Sequence, residues 1–210
     1  MTILVRLPQS LTLETLRGVV RRWPDGAAEI TVRLDPAQWV HPAGIVGLAC
    51  LIRTTERRGG RVAVDATACA RAGYWERMGF FRVLGLEGPP PEGVARKPRG
   101  RFSELRSVAE IEEVDEITEA LVAVTNPTRA AQRVFNHVVS EALNNVCQHS
   151  DAEGFCLAQY YPQTDEVRFC IGDFGCGLRH SLRGLTPADD REAIQLALRV
   201  GITGRPPQLM

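Results

Sequence analysis

The apolar positions change period several times within the first 86 residues, and each period predicts an element. "TILVRL" (residues 2–7) is a short apolar run of the kind that forms a strand. From about Ser10, a suitable N-cap, Leu13, Leu16, Val19 and Val20 fall on one face of a helix reaching Arg22. "EITVRL" (29–34) alternates Ile30, Val32 and Leu34 with polar residues, as a half-buried strand does. The turn "HPAG" (41–44) leads into "IVGLACLIRTTERRG", a helix that is apolar at first and ends at Gly59 or Gly60. "RVAVDA" (61–66) reads as a third strand, and "ARAGYWERMGFFRVLGL" (70–86) carries a short helix with an apolar exit. Strands alternating with helices predict an α/β fold, in an α+β sandwich rather than a helical bundle.

The pattern breaks at "LEGPPPEGVARKPRGR" (86–101), where consecutive prolines, glycines and charge make a poor core and a good connector. The expected organisation is a first domain over 1–86, a linker over 87–106 and a second domain over 107–210. After the linker, Val108, Ile111, Val114, Ile117, Leu121 and Val124 repeat at helical spacing behind Ser107, a fair N-cap, with an acidic solvated face. "NPTRAAQRVFNHVVSEALNNVCQHS" (126–150) opens with helix-start residues at Asn126 to Thr128. Its expected apolar stripe is Ala131, Val134, Phe135, Val138, Ala142, Leu143 and Val146. "FCLAQYY" and "EVRFCIGDFGCG" read as two strands joined at "PQTD", with Val167, Phe169 and Ile171 alternating toward a core. A last helix is expected from about Pro187 to Arg199.

Charge narrows the function. Lys and Arg number 25, as do Asp and Glu, so no global basic field argues for nucleic acid. Lys97 is the only lysine, which removes Schiff-base chemistry and a G-x-x-x-x-G-K-S/T phosphate loop. The six cysteines form no C-x-x-C pair and read as buried reduced thiols of a cytoplasmic protein. The N-terminal apolar stretch is too short for a signal peptide, and no segment approaches the ~20 apolar residues of a membrane span.

Candidate chemistry concentrates in two places. Glu141, Asn145 and His149 are spaced i, i+4 and i+8, a polar stripe two turns long with Gln148 alongside. Asp173 ends a strand and is followed by Gly175 and Gly177 in a tight loop. A carboxylate there can accept from an exocyclic amine of a purine, and the glycines let backbone approach the ligand.

In this order, E-x-x-x-N-x-x-x-H, a hairpin and D-x-G-x-G resemble the N box and first glycine box of GHKL ATPases, the superfamily of gyrase and histidine kinases. The resemblance covers roughly residues 107–205 and is closest to the anti-sigma-factor serine kinase and stand-alone branch. It implies a Bergerat-type α/β sandwich that binds ATP and Mg²⁺. Asn145 matches the Mg²⁺ ligand, Glu141 the general base, and Asp173 the adenine-reading carboxylate, with Gly175 and Gly177 shaping its loop. His149 matches a supporting position often held by histidine. Asp173-Phe174-Gly175 also spells a protein-kinase signature, but the glycine-rich loop, strand lysine and H-R-D of that fold are missing.

Residues 1–86 resemble the STAS domain of anti-sigma-factor antagonists, through the strand ending near Val40, "HPAG", the helix after it and "YWERMGFFRVLGL". In that family a hydroxyl before the loop glycine is phosphorylated. Here Ala43 holds the position and offers no oxygen, and His41 is read as a turn residue. The resemblances imply a bacterial signalling protein, with a protein partner of the anti-sigma or STAS type or the STAS-like block acting in cis. A homodimer is open, and neither nucleic acid nor membrane is implied. No second glycine box follows "GITGR", so the ATPase domain is expected to be incomplete, with Thr203 and Arg205 in a tail. The alternative expectation is a partner-binding regulator that has lost nucleotide turnover.

Overall fold

The computed structural model describes residues 2–26, 28–89, 101–124 and 129–199. In chain order the elements begin with β1 (Thr2–Arg6), β2 (Ser10–Leu11), α1 (Leu13–Arg22), β3 (Glu29–Arg33) and β4 (Trp39–Val40). There follow α2 (Pro42–Arg57), β5 (Arg61–Asp65), α3 (Ala72–Arg77), α4 (Phe80–Leu84) and β6 (Arg106–Val108). After a 3-10 turn at Ile111–Glu113 come α5 (Val114–Ala123), α6 (Arg129–His149), β7 (Gly154–Tyr161) and β8 (Glu166–Asp173). The last elements are α7 (Gly177–Ser181), a 3-10 turn at Arg183–Leu185 and α8 (Asp190–Ala197). Among the described residues this is a mixed α/β fold with three small sheets.

The first sheet is parallel in the order β1-β3-β5, with Ile3 opposite Ile30 and Ile30 opposite Val62. Parallel neighbours require crossovers, and α1 and α2 supply them. The third sheet is antiparallel in the order β6-β7-β8, running from Gly154 opposite Asp173 to Tyr161 opposite Glu166. Its central strand is covered on both faces. Phe155 and Leu157 join the core of the first half, whereas Cys156 and Ala158 join a second cluster with α5 and α6. Burial of both faces explains why "FCLA" is a continuous apolar run instead of an alternating one.

The two halves share a core. One cluster gathers Ile30, Val32, Ile45, Ile52, Trp75, Phe80 and Phe81 with Leu105, Phe155 and Leu157. Helix α2 lies in the middle, touching α1 and β5 as well as β7 and β8.

Several local expectations are corrected. Ser10 pairs with Trp39 in the β2–β4 ladder and caps nothing. Thr12 is the N-cap of α1, in a reciprocal box with Thr15. Ser107 lies in β6, and Glu110 forms the box with Glu113 at the 3-10 turn that leads directly into α5. The end of the expected linker belongs to the sheet, because Phe102 bridges Gln159, Leu105 is buried and Arg106 opens β6. Residues 90–100 of that linker lie outside the described residues, as do Asn126 to Thr128 and residues 200–210 with Thr203 and Arg205. The 70–86 stretch forms two helices, broken where Gly79 adopts a φ of 75°. The last helix starts later than expected, capped by Asp189, whose Oδ1 accepts from the Glu192 N–H at 2.8 Å.

On α6 the buried stripe is rotated from the expected one. Val139 is 2% exposed, whereas Val138 is 49% and Val134 is 64% exposed. Val139, Leu143 and Val146 recur at i, i+4 and i+7, and this line faces β7 and α5. Phe169 is correspondingly less buried than the alternation predicts, meeting Phe135 edge-on at 6.3 Å.

Candidate functional site

Burial of Val139, Leu143 and Val146 turns the opposite side of α6 outward. Glu141, Asn145 and Gln148 lie exposed there, one turn apart, and continue the line of exposed Val134 and Val138. Asn144 is half-buried. The side chain of His149 lies outside the described residues, so its expected role has no structural counterpart here.

The second motif meets the end of this helix directly. The Cys176 N–H donates to the Ser150 carbonyl at 2.8 Å, just past the last turn of α6. Gly175 is pressed against the same residue, since a Cβ there would lie 1.9 Å from the Ser150 carbonyl oxygen. The loop closes on itself as the Gly175 N–H donates to Asp173 Oδ1 at 2.8 Å. That bond commits one carboxylate oxygen. Asp173 is exposed, and its Oδ2 has no protein partner among the described residues, leaving it open to accept a proton donor from a ligand. Gly177 has a φ of 75° and opens α7. Phe174 points to the other side of the strand end, stacked on Phe155 with centroids 5.9 Å apart and planes at 25°. The aromatic residue of "DFG" is thus an anchor in the core.

Among the described residues, no group of three or more His, Cys, Asp or Glu could hold a metal ion. A magnesium ion held chiefly by phosphates and water can make do with one protein oxygen, and the exposed Asn145 amide offers one. No disulfide joins any of the six cysteines. Burial pushes Cys50 and Cys156 up to about 12 and Cys170 up to about 11, so these three are not nucleophilic thiolates near neutral pH. On the face of β8 opposite α6, a largely apolar groove of about 340 Å³ runs between α1, α2 and the strand, bordered by Leu16, Gly47, Cys50, Cys170 and Asp173.

Sequence reading treated His41 as a plain turn residue and missed a polar cluster that ties the halves together. Arg168 Nη1 lies 3.0 Å from Nδ1 and 3.1 Å from Nε2 of His41. Its guanidinium covers the Tyr161 ring at 4.9 Å and pairs with Glu166 at 2.7 Å. Tyr74 and Tyr161 both donate to Gln159 Oε1, at 2.7 and 3.1 Å. The only available signal was His41 next to Pro42 at a helix start. Its partner lies 127 residues away.

A guanidinium can only donate, so the His41 nitrogen it bonds must be unprotonated. Burial, and then the Arg168 charge, hold the His41 imidazole below its ordinary value, against the opposing pull of Glu14 and Glu166. The folded value is therefore below the unfolded one, and between the two the unfolded chain binds more protons. This stabilisation is complete above about pH 6.5 and is lost as pH falls from there through the folded value. Thermal melts from pH 7.5 to 5 should show stability falling, with His41→Asn lacking that component. Because the other three histidines, His137, His149 and His180, remain in the variant, the difference between the two curves isolates His41.

Among the described residues, no helix is long and apolar enough to cross a membrane. No protein-family model, curated protein or solved structure matches this chain.

Proposed function

We propose that the chain is an ATP-binding signalling protein of the GHKL type, with a Bergerat-like second half and a STAS-like first half. The observation that carries this reading is the junction at Ser150. There the Cys176 N–H to Ser150 bond of 2.8 Å joins the helix bearing Glu141 and Asn145 to the loop bearing Asp173. Helix, hairpin and glycine loop follow in the order expected of that family, and each polar residue with a described side chain is exposed to receive a ligand.

When bound, Mg-ATP would supply the γ-phosphoryl group, with ADP as the leaving group, and the cation that offsets its charge. Asp173 Oδ2 accepts from the exocyclic amine of adenine, and the Gly175 N–H keeps the carboxylate aimed. Asn145 presents its amide oxygen to the cation. Glu141, one turn earlier on the same face, takes the proton of the attacking hydroxyl. That hydroxyl comes from a Ser or Thr of a partner protein of the anti-sigma or STAS type, or from water. Ala43 removes the usual acceptor from the first half, which leaves that half a regulatory role in cis. The proposed setting is the bacterial cytoplasm.

A second reading is a partner-binding regulator without turnover. It is favoured by the exposed Val134 and Val138 beside Glu141, an apolar line suited to a protein surface. Calorimetric titration with Mg-ATP separates the two. Wild type should bind, Asp173→Asn should weaken binding about 10- to 100-fold, the range for a lost hydrogen bond to a charged group, and Glu141→Ala should bind normally but turn nothing over. Normal binding by Asp173→Asn would remove the adenine assignment, and no binding by wild type would favour the regulator.

A further inference from the structure

The loop carrying Asp173 is held from two sides, and one of them belongs to the first half of the chain. On the α6 side it is fixed by Cys176 and Gly175 against Ser150. On the other side stands Arg57, in the last turn of α2. Its guanidinium lies 5.7 Å from the centre of the Phe174 ring, and its Nη2 donates to the Asp151 carbonyl at 3.4 Å. Phe174 separates Asp173 from Gly175, and Asp151 directly follows Ser150. Arg57 therefore touches both strands of the junction at once.

Its neighbours on α2 are engaged differently. Arg53 pairs with Glu56 at 2.7 Å and approaches Glu153 at 3.9 Å, and Arg58 pairs with Asp25. Among the described residues Arg57 has no carboxylate within ion-pair distance, so its charge is directed at the ring and the carbonyl. A cation over an aromatic face is attracted by the ring quadrupole. Phe174 is in turn stacked on Phe155, and the ring is thus clamped between core and cation. Successive residues at a strand end point to opposite faces. Fixing the Phe174 ring consequently fixes the direction of the adjacent Asp173 carboxylate.

We propose that Arg57 is a positioning residue for the Asp173 loop, through which the first half of the chain sets the ligand affinity of the second. The clamp stands on geometry alone; its effect on affinity rests on the nucleotide reading above. No other described contact between the first half and this loop combines a charge with the Phe174 ring. A shift of α2 relative to β8, as a partner bound to the first half would impose, is relayed to Asp173 through this contact.

The test uses the full chain and two amides whose bonds define the loop, those of Gly175 and Cys176. Hydrogen exchange at both should be about three- to fivefold faster in Arg57→Ala, the factor for one exposed cation–π contact, with α5 amides unchanged. Arg57→Lys, which keeps a cation over the ring, should restore most of the protection. In a Phe174→Leu background, Arg57→Ala should add little, because the partner ring is gone and only the 3.4 Å bond to the Asp151 carbonyl remains to be lost. Unchanged exchange in Arg57→Ala, or additive effects of the two substitutions, would overturn the clamp. Mg-ATP affinity measured on the same proteins should fall by a similar factor in Arg57→Ala. Unaltered affinity despite faster exchange would overturn the coupling, whereas absent binding in wild type would sink the nucleotide reading and leave the exchange result to decide the clamp.

Discussion

Phe155→Ala should destabilise the whole chain by about 3–5 kcal/mol, the cost of deleting a large aromatic from a packed core. Phe155 is fully buried, yet it belongs to β7 in the second half. Its neighbours include the apolar residues of the first half, in the same cluster as Trp75, Phe80 and Phe81. The void would therefore open in a core to which both halves contribute. A chain of two independent domains would show one melting transition displaced and one untouched. Here a single transition should move down, by about 6–20 °C at this size, when followed by both circular dichroism and tryptophan fluorescence. Trp75 reports on the first half, so a fluorescence change coincident with the overall transition is the decisive signal. A fluorescence transition that stayed in place would mean that the shared core does not couple the halves.

Gly175→Ala is the second large effect. A methyl at this position would sit 1.9 Å from the Ser150 oxygen and 2.5 Å from both its carbonyl carbon and its Cβ. Two of those three atoms are backbone, so no rotamer change relieves the overlap. The loop must move away from α6, and the Cys176 to Ser150 hydrogen bond is lost with it. Overpacking of this kind costs about 1–3 kcal/mol, and the unmade hydrogen bond adds about 1 kcal/mol. Thermal unfolding should show the loss of stability. If the proposed nucleotide site is correct, Mg-ATP titration should show affinity falling at least about tenfold, because Asp173 moves with the loop. Retained stability and affinity together would show that the junction is not needed.

Much of this was legible along the chain where local pattern decides local structure. Ile30, Val32 and Leu34 are buried as their alternation requires, and the hairpin of β7 and β8 lies where two strands and a turn were expected. The fold also brings the end of one candidate motif against the other, at Ser150 and Cys176. What the pattern hid is contact between distant residues. Ser10 is as good a capping hydroxyl as Thr12, and only its pairing with Trp39 takes it out of the helix. Val138 and Val139 are equally apolar, and only the position of β7 and α5 chooses between them. Phe102 and Leu105 stand beside a proline- and glycine-rich stretch, yet Phe102 bridges Gln159 of β7, 57 residues later, and the Leu105 N–H donates to the Met78 carbonyl of the first half. His41 and Arg57 look like unremarkable helix-end residues until Arg168 and Phe174 are brought to them.

Helix α2 also has a history within the life of each molecule. One side of it is covered early, by α1 and β5, which are adjacent in the chain. The other side, including Val46 and Cys50, waits for β7 and β8. About 115 residues separate Arg57 from Asp173, which at cellular rates of about 5–20 residues per second is roughly 6–23 s of synthesis. During that interval the emerging first half carries an apolar flank of α2 that its own later hairpin has not yet covered, the kind of exposed surface that makes a nascent chain prone to aggregation.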